Sequence, residues 1–351
     1  KGQLVALDEL LEEYGQGVLA AVPEDVLAGT KVAGKIYGVP SVRDWARQYG
    51  YYMRKDLVEK YDIDLAKIET FHDLTPIFQT IKDEEGIYPI ANTNAPVAEI
   101  LVGEYFDILG DRFGVVHMDG DGTVVNMFEE PEYKEILAVV RDWYEKGFIM
   151  KDAPITQDSA IAVMKAGKGA GAFSILKPGF EVQEATYIGR EMVAVNLTPS
   201  YMYTVRSWML SVARNSKNPV KAMEFMNLLY TDADIMNLIA IGIEGKHYVL
   251  NEDGLAKLPE GVTESGYFQS QWQIGNNFLT HVWEGNPADL WEQTREFNDS
   301  AIPSPVVGFA FDPDRVKTQI AAVTNVAEQY RKGLEHGVLD PEKSLPEFIK
   351  Q

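Results

Sequence analysis

The sequence predicts an α/β protein with a mostly parallel sheet, and three observations carry that class. First, the stretch from Tyr201 to Leu250 reads strand, turn, helix, helix, strand. Val205–Ala213 alternates in an apolar run, Asn215–Pro219 punctuates it, and Val220, Met223, Phe225, Met226, Leu228 and Leu229 recur at helical spacing. Second, the same alternation of strand and helix patterns recurs along much of the chain. Third, 351 residues at 46% hydrophobic and 24% charged are enough for two domains with ordinary cores, and no repeat or low-complexity tract interrupts them.

Within the organising stretch, Pro219 suits the first position of a helix, Thr231-Asp232 opens a second helix, and Gly242 with Gly245 stops it before Tyr248–Leu250. From the start, Leu7–Tyr14 reads as a short helix with Leu7, Leu10 and Leu11 on one face, and Pro23–Ala28 as another. Gly29 and Gly34-Lys35 stand at phosphate-loop spacing. Ile36 replaces the hydroxyl residue such a loop needs, and a strand follows where a helix should, so the segment reads as a hairpin turn. Ser41–Gln48 is a polar loop, Tyr49–Met53 a strand and Lys55–Tyr61 a helix. Thr70 with Asp73 forms a capping box before Leu74, Ile77, Phe78 and Ile81. Tyr88–Ala91 is a short strand, and Pro96–Leu109 reads as a helix.

Val115–His117 and Thr123–Met127 flank a turn as a hairpin does. Asp119, Asp121, Thr123 and Glu130 fall at calcium-loop positions, but Val124 occupies the position where the loop's sharp turn needs glycine. Pro131 starts a helix that ends at Gly147, and Ser159–Ala166 forms another. GKGAGAFSI leads into a buried strand without a dinucleotide fingerprint. Val193–Leu197 is a strand. Tyr267–Thr280, Pro287–Asn298, Asp314–Arg331 and Pro341–Lys350 read as helices around a Pro-rich extended run, SAIPSPVVGFAFDP.

Acidic residues number 53 against 32 basic ones, a formal net charge of −21 that repels phosphate backbones and makes nucleic acid an unsuitable partner. The chain has no cysteine, which removes disulfides, thiolate nucleophiles and Cys-ligated zinc. No apolar run reaches the ~18 residues of a membrane span. The five histidines show neither HExxH nor metal spacing, and no GxSxG elbow occurs. The expected set therefore holds no catalytic residue, no metal ligand and no cofactor. A glycosidase carboxylate pair cannot be read from sequence, because its signature is a distance.

The positive chemical signal is aromatic: six Trp and 17 Tyr. A sugar presents an apolar C–H face and a rim of hydroxyls, so its site needs ring platforms beside Asp, Glu, Asn and Arg. The sequence places both kinds together at Arg43-Asp44-Trp45, at Tyr203, Arg206 and Trp208, at Trp283-Glu284, and at Phe173 and Lys177; Asn94 and Glu244 complete the candidates. Trp143 and Trp291, at helical spacing among apolar neighbours, read as core. Trp208 can face ligand or sheet, and Arg206 can touch ligand or pair with Glu244. His247 reads as a satisfied interior histidine.

Three segments also carry a family resemblance. SKNP, AMEFMNLLYTD and GIEGKHY in the organising stretch resemble the extracellular solute-binding proteins of bacterial ABC importers, in the lipoprotein-type branch of the maltose-binding-protein group. WQIGNNFLTHVWEGNP with DLWEQTREFNDSAIPSPVVGFAFDP resembles that branch's C-terminal region, and KIYGVP followed by YYMRKDLVEKYDID is the third match. The resemblance implies a two-lobe type II periplasmic-binding-protein fold hinged between lobes. Lobe 1 would hold residues 1–44 and 206–264, and lobe 2 residues 45–205 and 265–351. It further implies capture of an oligosaccharide between the lobes and delivery to an ABC permease, by a monomer held outside the cytoplasm through a lipid anchor. The opening KGQLVALDELLEEYG comes well inside relatives, so the resemblance implies an incomplete first lobe whose leader and anchor precede this sequence. A glycan-binding surface sensor or adhesin, or a glycoside hydrolase, are the alternatives. Without a long basic cluster, a neutral oligomer suits the chain better than an acidic uronide; relatives of this branch point toward plant-polysaccharide fragments and related oligosaccharides.

Overall fold

The computed structural model describes residues 2–351 except 94, 111, 206–207, 264, 268–269 and 310. The chain divides into two compact units. Unit 1 comprises Lys1–Ala46 and Met202–Asp312, and unit 2 comprises Arg47–Tyr201 and Pro313–Gln351, so the chain passes between them three times. Residues 265–312 therefore fold with unit 1, where the sequence reading set them in the second lobe. The reason is local pairing: Val42 donates to the Gly275 carbonyl, Asn277 to that of Val42, and Ala256 bridges to Trp283.

Unit 1 is built on the helix Pro219–Thr231. Asn218 caps it by accepting from the Lys221 N–H, and Pro219 occupies its first turn, where a missing N–H costs nothing. Helices Asp8–Tyr14 and Gln16–Ala21 lie against it. Gly17 permits the approach, since a Cβ there would stand 2.1 Å from Thr231 Cγ2. Leu7, Leu11, Val18, Val39, Met223 and Leu229 form the core beneath. Met236, Ala240, Tyr248 and Ala256 make a smaller satellite cluster, with Trp283 packed on its edge.

In unit 2 the long strand Ala46–Arg54 pairs antiparallel with Met192–Asn196 on one side and Gly169–Leu176 on the other. Gly169–Leu176 pairs parallel with Tyr88–Ile90. The α/β class stands, but the sheet is mixed rather than mostly parallel. Strand–helix alternation does not fix direction, and here both returning segments reach the long strand from helices and run against it. Tyr51, Phe78, Trp143 and Phe173 interlock beneath the sheet. Trp143 stacks on Phe173 at 5.5 Å and meets Phe78 edge-on at 5.3 Å. Helices Lys317–Glu335 and Pro341–Lys350 complete this core through Ala327, Leu334, Leu345 and Phe348.

Local expectations fail in four places. The expected strand Val205–Ala213 is, among its described residues, a strand only at Met209–Leu210, because Trp208 takes a left-handed φ of 58° just before it. The Pro96–Leu109 helix stops at Leu101, passes through a 3-10 turn and becomes the strand Phe106–Leu109, which pairs with Gly114–His117. Tyr267–Thr280 carries only the single turns Gln271–Gln273 and Asn277–Leu279 among its described residues. Phe180–Ile188, where no element was expected, is a helix. Among the described residues, no helix is long and apolar enough to cross a membrane.

Candidate functional site

Ser41 is the point where three segments of unit 1 converge. Its N–H donates to the Trp208 carbonyl at 3.2 Å, and its hydroxyl donates to the Trp272 carbonyl at 2.9 Å. Its own carbonyl accepts from the Trp45 indole N–H at 2.8 Å. The residue is buried, so these bonds form where water does not compete. The pairing of Val39–Pro40 with Met209–Leu210 brings the segments together just before Ser41.

Two indole rings meet above that junction. Trp208 and Trp272 stand 4.6 Å apart at 88°, the edge-to-face geometry that aromatic pairs favour. Trp208 is 46% exposed, a large apolar ring left in water. Its φ of 58° lies in the left-handed region, where a bulky side chain is strained. The Arg43 guanidinium lies over the Trp272 ring at 5.0 Å and makes a two-pronged bond to Asp44, with N···O distances of 3.1 and 2.8 Å. Both partners are largely shielded, with side-chain exposures of 22% and 15%. Asn298 fixes the backbone beneath: its amide donates to the Arg43 carbonyl, and its oxygen accepts from the Trp45 and Ala46 N–H groups at 2.8 and 3.0 Å. The result is an exposed ring and a braced ring beside a largely shielded ion pair.

Of the sequence-predicted residues, Arg43, Asp44 and Trp208 share this junction. Trp45 supports it from below, half-buried against the core of unit 1. Trp272, which the sequence reading missed, is its braced ring; it lies in a segment whose predicted helix hid it. Tyr203 is buried. Trp283 packs on the satellite cluster instead, and Glu244 is exposed and bridges to Tyr248. Phe173 is a core ring of unit 2, 2% exposed, and Lys177 is half-buried near the Glu184 carboxylate. Asn94 and Arg206 lie outside the described residues. Trp143 is core as expected, and Trp291 is half-buried, donating to the Thr280 carbonyl.

Unit 2 holds its own cluster of rings and acid. Glu104 carries a shielded Oε2 without a hydrogen-bond partner, and burial, with the Glu135 charge adding to it, pushes its carboxyl up to about 7. Tyr105 is pushed up to about 12 by burial and then by Glu104; Tyr201 is raised by burial and then by Glu104 and Asp119. Gly103 lets the Tyr49 ring approach, since a Cβ would stand 2.0 Å from it.

Comparison with known proteins places the chain in a lineage. Residues 1–236 match the family model described as bacterial extracellular solute-binding protein, and residues 305–351 match a domain of unknown function. A carbohydrate ABC transporter substrate-binding protein of Streptococcus pneumoniae serotype 4 is 27% identical over 379 residues, covering 100% of this chain and 72% of that protein. Lipoprotein LipO of Bacillus subtilis is 20% identical over 314 residues, 76% of this chain and 60% of LipO. The N-glycan transport solute binding protein of S. pneumoniae superposes with a TM-score of 0.87 at 26% identity, over 99% of this chain and 78% of that one. Its complex with Man5GlcNAc gives 0.82 at 25%, over 99% and 78%. These neighbours, with a maltose-bound relative at a TM-score of 0.57, share the two-lobe type II periplasmic-binding fold.

Proposed function

The chain belongs to the bacterial extracellular solute-binding proteins, and from that premise we propose that it captures an oligosaccharide and delivers it to an ABC permease without altering it. The observation that carries the reading is the Trp208–Trp272 pair beside the bidentate Arg43–Asp44 ion pair. An exposed indole offers the apolar face of a sugar a surface to cover, and the charged Arg43–Asp44 pair sets a polar edge beside it for the sugar's hydroxyls. Arg43 over its ring and the Ser41 bond to its carbonyl hold Trp272 before ligand arrives, which lowers the ordering cost of binding. Closure of the lobes over the sugar follows from the family likeness and gives the permease a liganded form to recognise.

A pneumococcal neighbour is solved in complex with Man5GlcNAc, and this supports a neutral oligosaccharide of mannose and N-acetylglucosamine as the first probe for this chain. Calorimetric titration of the chain with Man5GlcNAc should give saturable 1:1 binding with a negative heat-capacity change, and an oligouronate of equal length should bind more weakly. Absence of binding to any neutral oligosaccharide in a panel would overturn the reading. Chromatography of the sugar after prolonged incubation should return it intact; shortened product would make the chain a glycosidase. The likeness to a lipoprotein supports a lipid anchor on the native protein, tested by its partition into detergent from intact cells. Stimulation of the cognate permease's ATPase by the sugar-loaded chain tests delivery.

A further inference from the structure

Far along the sequence from the ring platform, one imidazole and two carboxylates converge in unit 2. His117 ends the strand Gly114–His117, Glu130 is the residue before the helix Pro131–Glu145, and Glu132 lies in that helix's first turn. Each offers one ligand atom, and the three lie within 4.8 Å of one another. His117 Nε2 is 3.0 Å from Glu130 Oε2. Ligands about 2.0 Å from a tetrahedral zinc ion stand roughly 3.3 Å apart, so this pair already has coordination spacing.

Two features distinguish the cluster from a chance gathering of surface acids. The His117 ring is braced edge-on against Phe106, 4.7 Å away, in the register that pairs Phe106 with His117 across the strands. Glu132 Oε2 is sealed from solvent and has no hydrogen-bond partner. A shielded, unpartnered carboxylate oxygen costs desolvation that the helix N-terminus offsets only in part. Two carboxylates around one imidazole also leave an excess of negative charge, which a divalent cation would neutralise. The three side chains are half-buried, which leaves a route of entry.

We propose that His117, Glu130 and Glu132 form a binding site for a divalent transition-metal ion of the zinc type. One nitrogen with two oxygens, and a position open to water, suits zinc or its first-row neighbours; calcium and magnesium prefer oxygen alone. The calcium loop considered over Asp119–Glu130 is not what forms: Asp121 accepts from the Thr123 N–H in a tight turn, and Glu130 turns away to His117. The ion would tie the hairpin of strands Gly114–His117 and Val124–Asn126 to the start of the helix, a local brace independent of sugar binding.

The test is titration of chelator-stripped chain with zinc sulfate, manganese chloride and calcium chloride, followed by calorimetry and by thermal melting. One zinc per chain is expected, with a raised melting temperature and much weaker calcium binding. H117Q should weaken zinc by more than the ~10–100-fold that disturbing an outer-shell partner costs. E132Q keeps the side chain's shape and breaks no hydrogen bond at Oε2, so it should leave the metal-free chain as stable or more so while weakening zinc equally; this variant carries the test if H117Q folds poorly. H72Q, whose imidazole meets Glu135 elsewhere on the same helix, should bind zinc as the parent does. No saturable zinc binding, calcium as tight as zinc, or unchanged zinc affinity in E132Q would each overturn the proposal.

Discussion

Replacing Trp208 with alanine should separate binding from folding. The ring is 46% exposed, so of roughly 250 Å² for a Trp side chain about 115 Å² meets solvent. A sugar covers one face, close to half of that area, and at about 25 cal/mol per Å² its loss removes roughly 1.5 kcal/mol, near a tenfold weaker Kd. Stability should fall by a comparable amount at most. Alanine forfeits the edge-to-face contact with Trp272, worth about 0.5–1.5 kcal/mol, and keeps the strained φ of 58°. Glycine at 208 removes the same platform and releases that strain, so W208G should melt at or above W208A while binding equally poorly. Calorimetry with Man5GlcNAc and melting of both variants are the assays. Sugar affinity within a factor of two of the parent in both variants would refute the platform; a large loss of stability in both would show the ring to be structural.

Asn298→Ala strips partners from the Arg43 carbonyl and from two backbone N–H groups at the first passage between units, and should cost about 3 kcal/mol by denaturant melt. Asn298→Asp can still accept but cannot donate, so it should cost about half as much. Phe173→Ala should cost about 3–5 kcal/mol, because the ring is 2% exposed against Trp143, yet leave sugar affinity unchanged well below its melting point. Glu104 gives a pH signature. Its folded carboxyl titrates at about 7, above the ~4.3 of the unfolded chain, so the native state holds the extra proton. That contribution is full below the unfolded value and is lost as pH rises through 7. The carboxyl is only partly buried, so the full shift is discounted for solvent screening, and E104Q should gain about 1–2 kcal/mol at pH 8, a gap that closes toward pH 5. A gap of equal size at both pH values would refute the assignment.

Much of the fold was legible because its signals are local. Asn218 and Pro219 announce a helix start from chain entropy and a missing N–H, and the helix Pro219–Thr231 begins there. Thr70 and Asp73 form their capping box as spaced. What failed was decided at long range. The residues from Phe106 to Leu109 are apolar enough for either helix or strand; their pairing with Gly114–His117 makes them a strand. Sheet direction likewise depends on which segments return to Ala46–Arg54, and pattern does not carry that information.

The candidate site was legible in part for the same reason. Arg43 and Asp44 stand out because charge and ring sit together in a polar loop; Trp208 lies within the apolar run Val205–Ala213, so its sequence leaves it open between ligand and sheet. Phe173 looked similar by following a small-residue strand, but its register opposite Tyr51 turns it into the core. Trp272 had no local mark at all. Its role comes from the Ser41 hydroxyl reaching its carbonyl across 231 positions of sequence, which sets its ring under Arg43 and against Trp208. A buried serine that joins three segments is therefore what turns an exposed and a half-buried indole into one surface. Ser41→Ala would leave the Trp272 carbonyl without that donor while removing no ring, so the ring pair should loosen and sugar affinity fall, by about 1 kcal/mol, with every aromatic still present. Unchanged affinity in S41A would mean that the indoles hold their own geometry and that the hydroxyl only stabilises the fold.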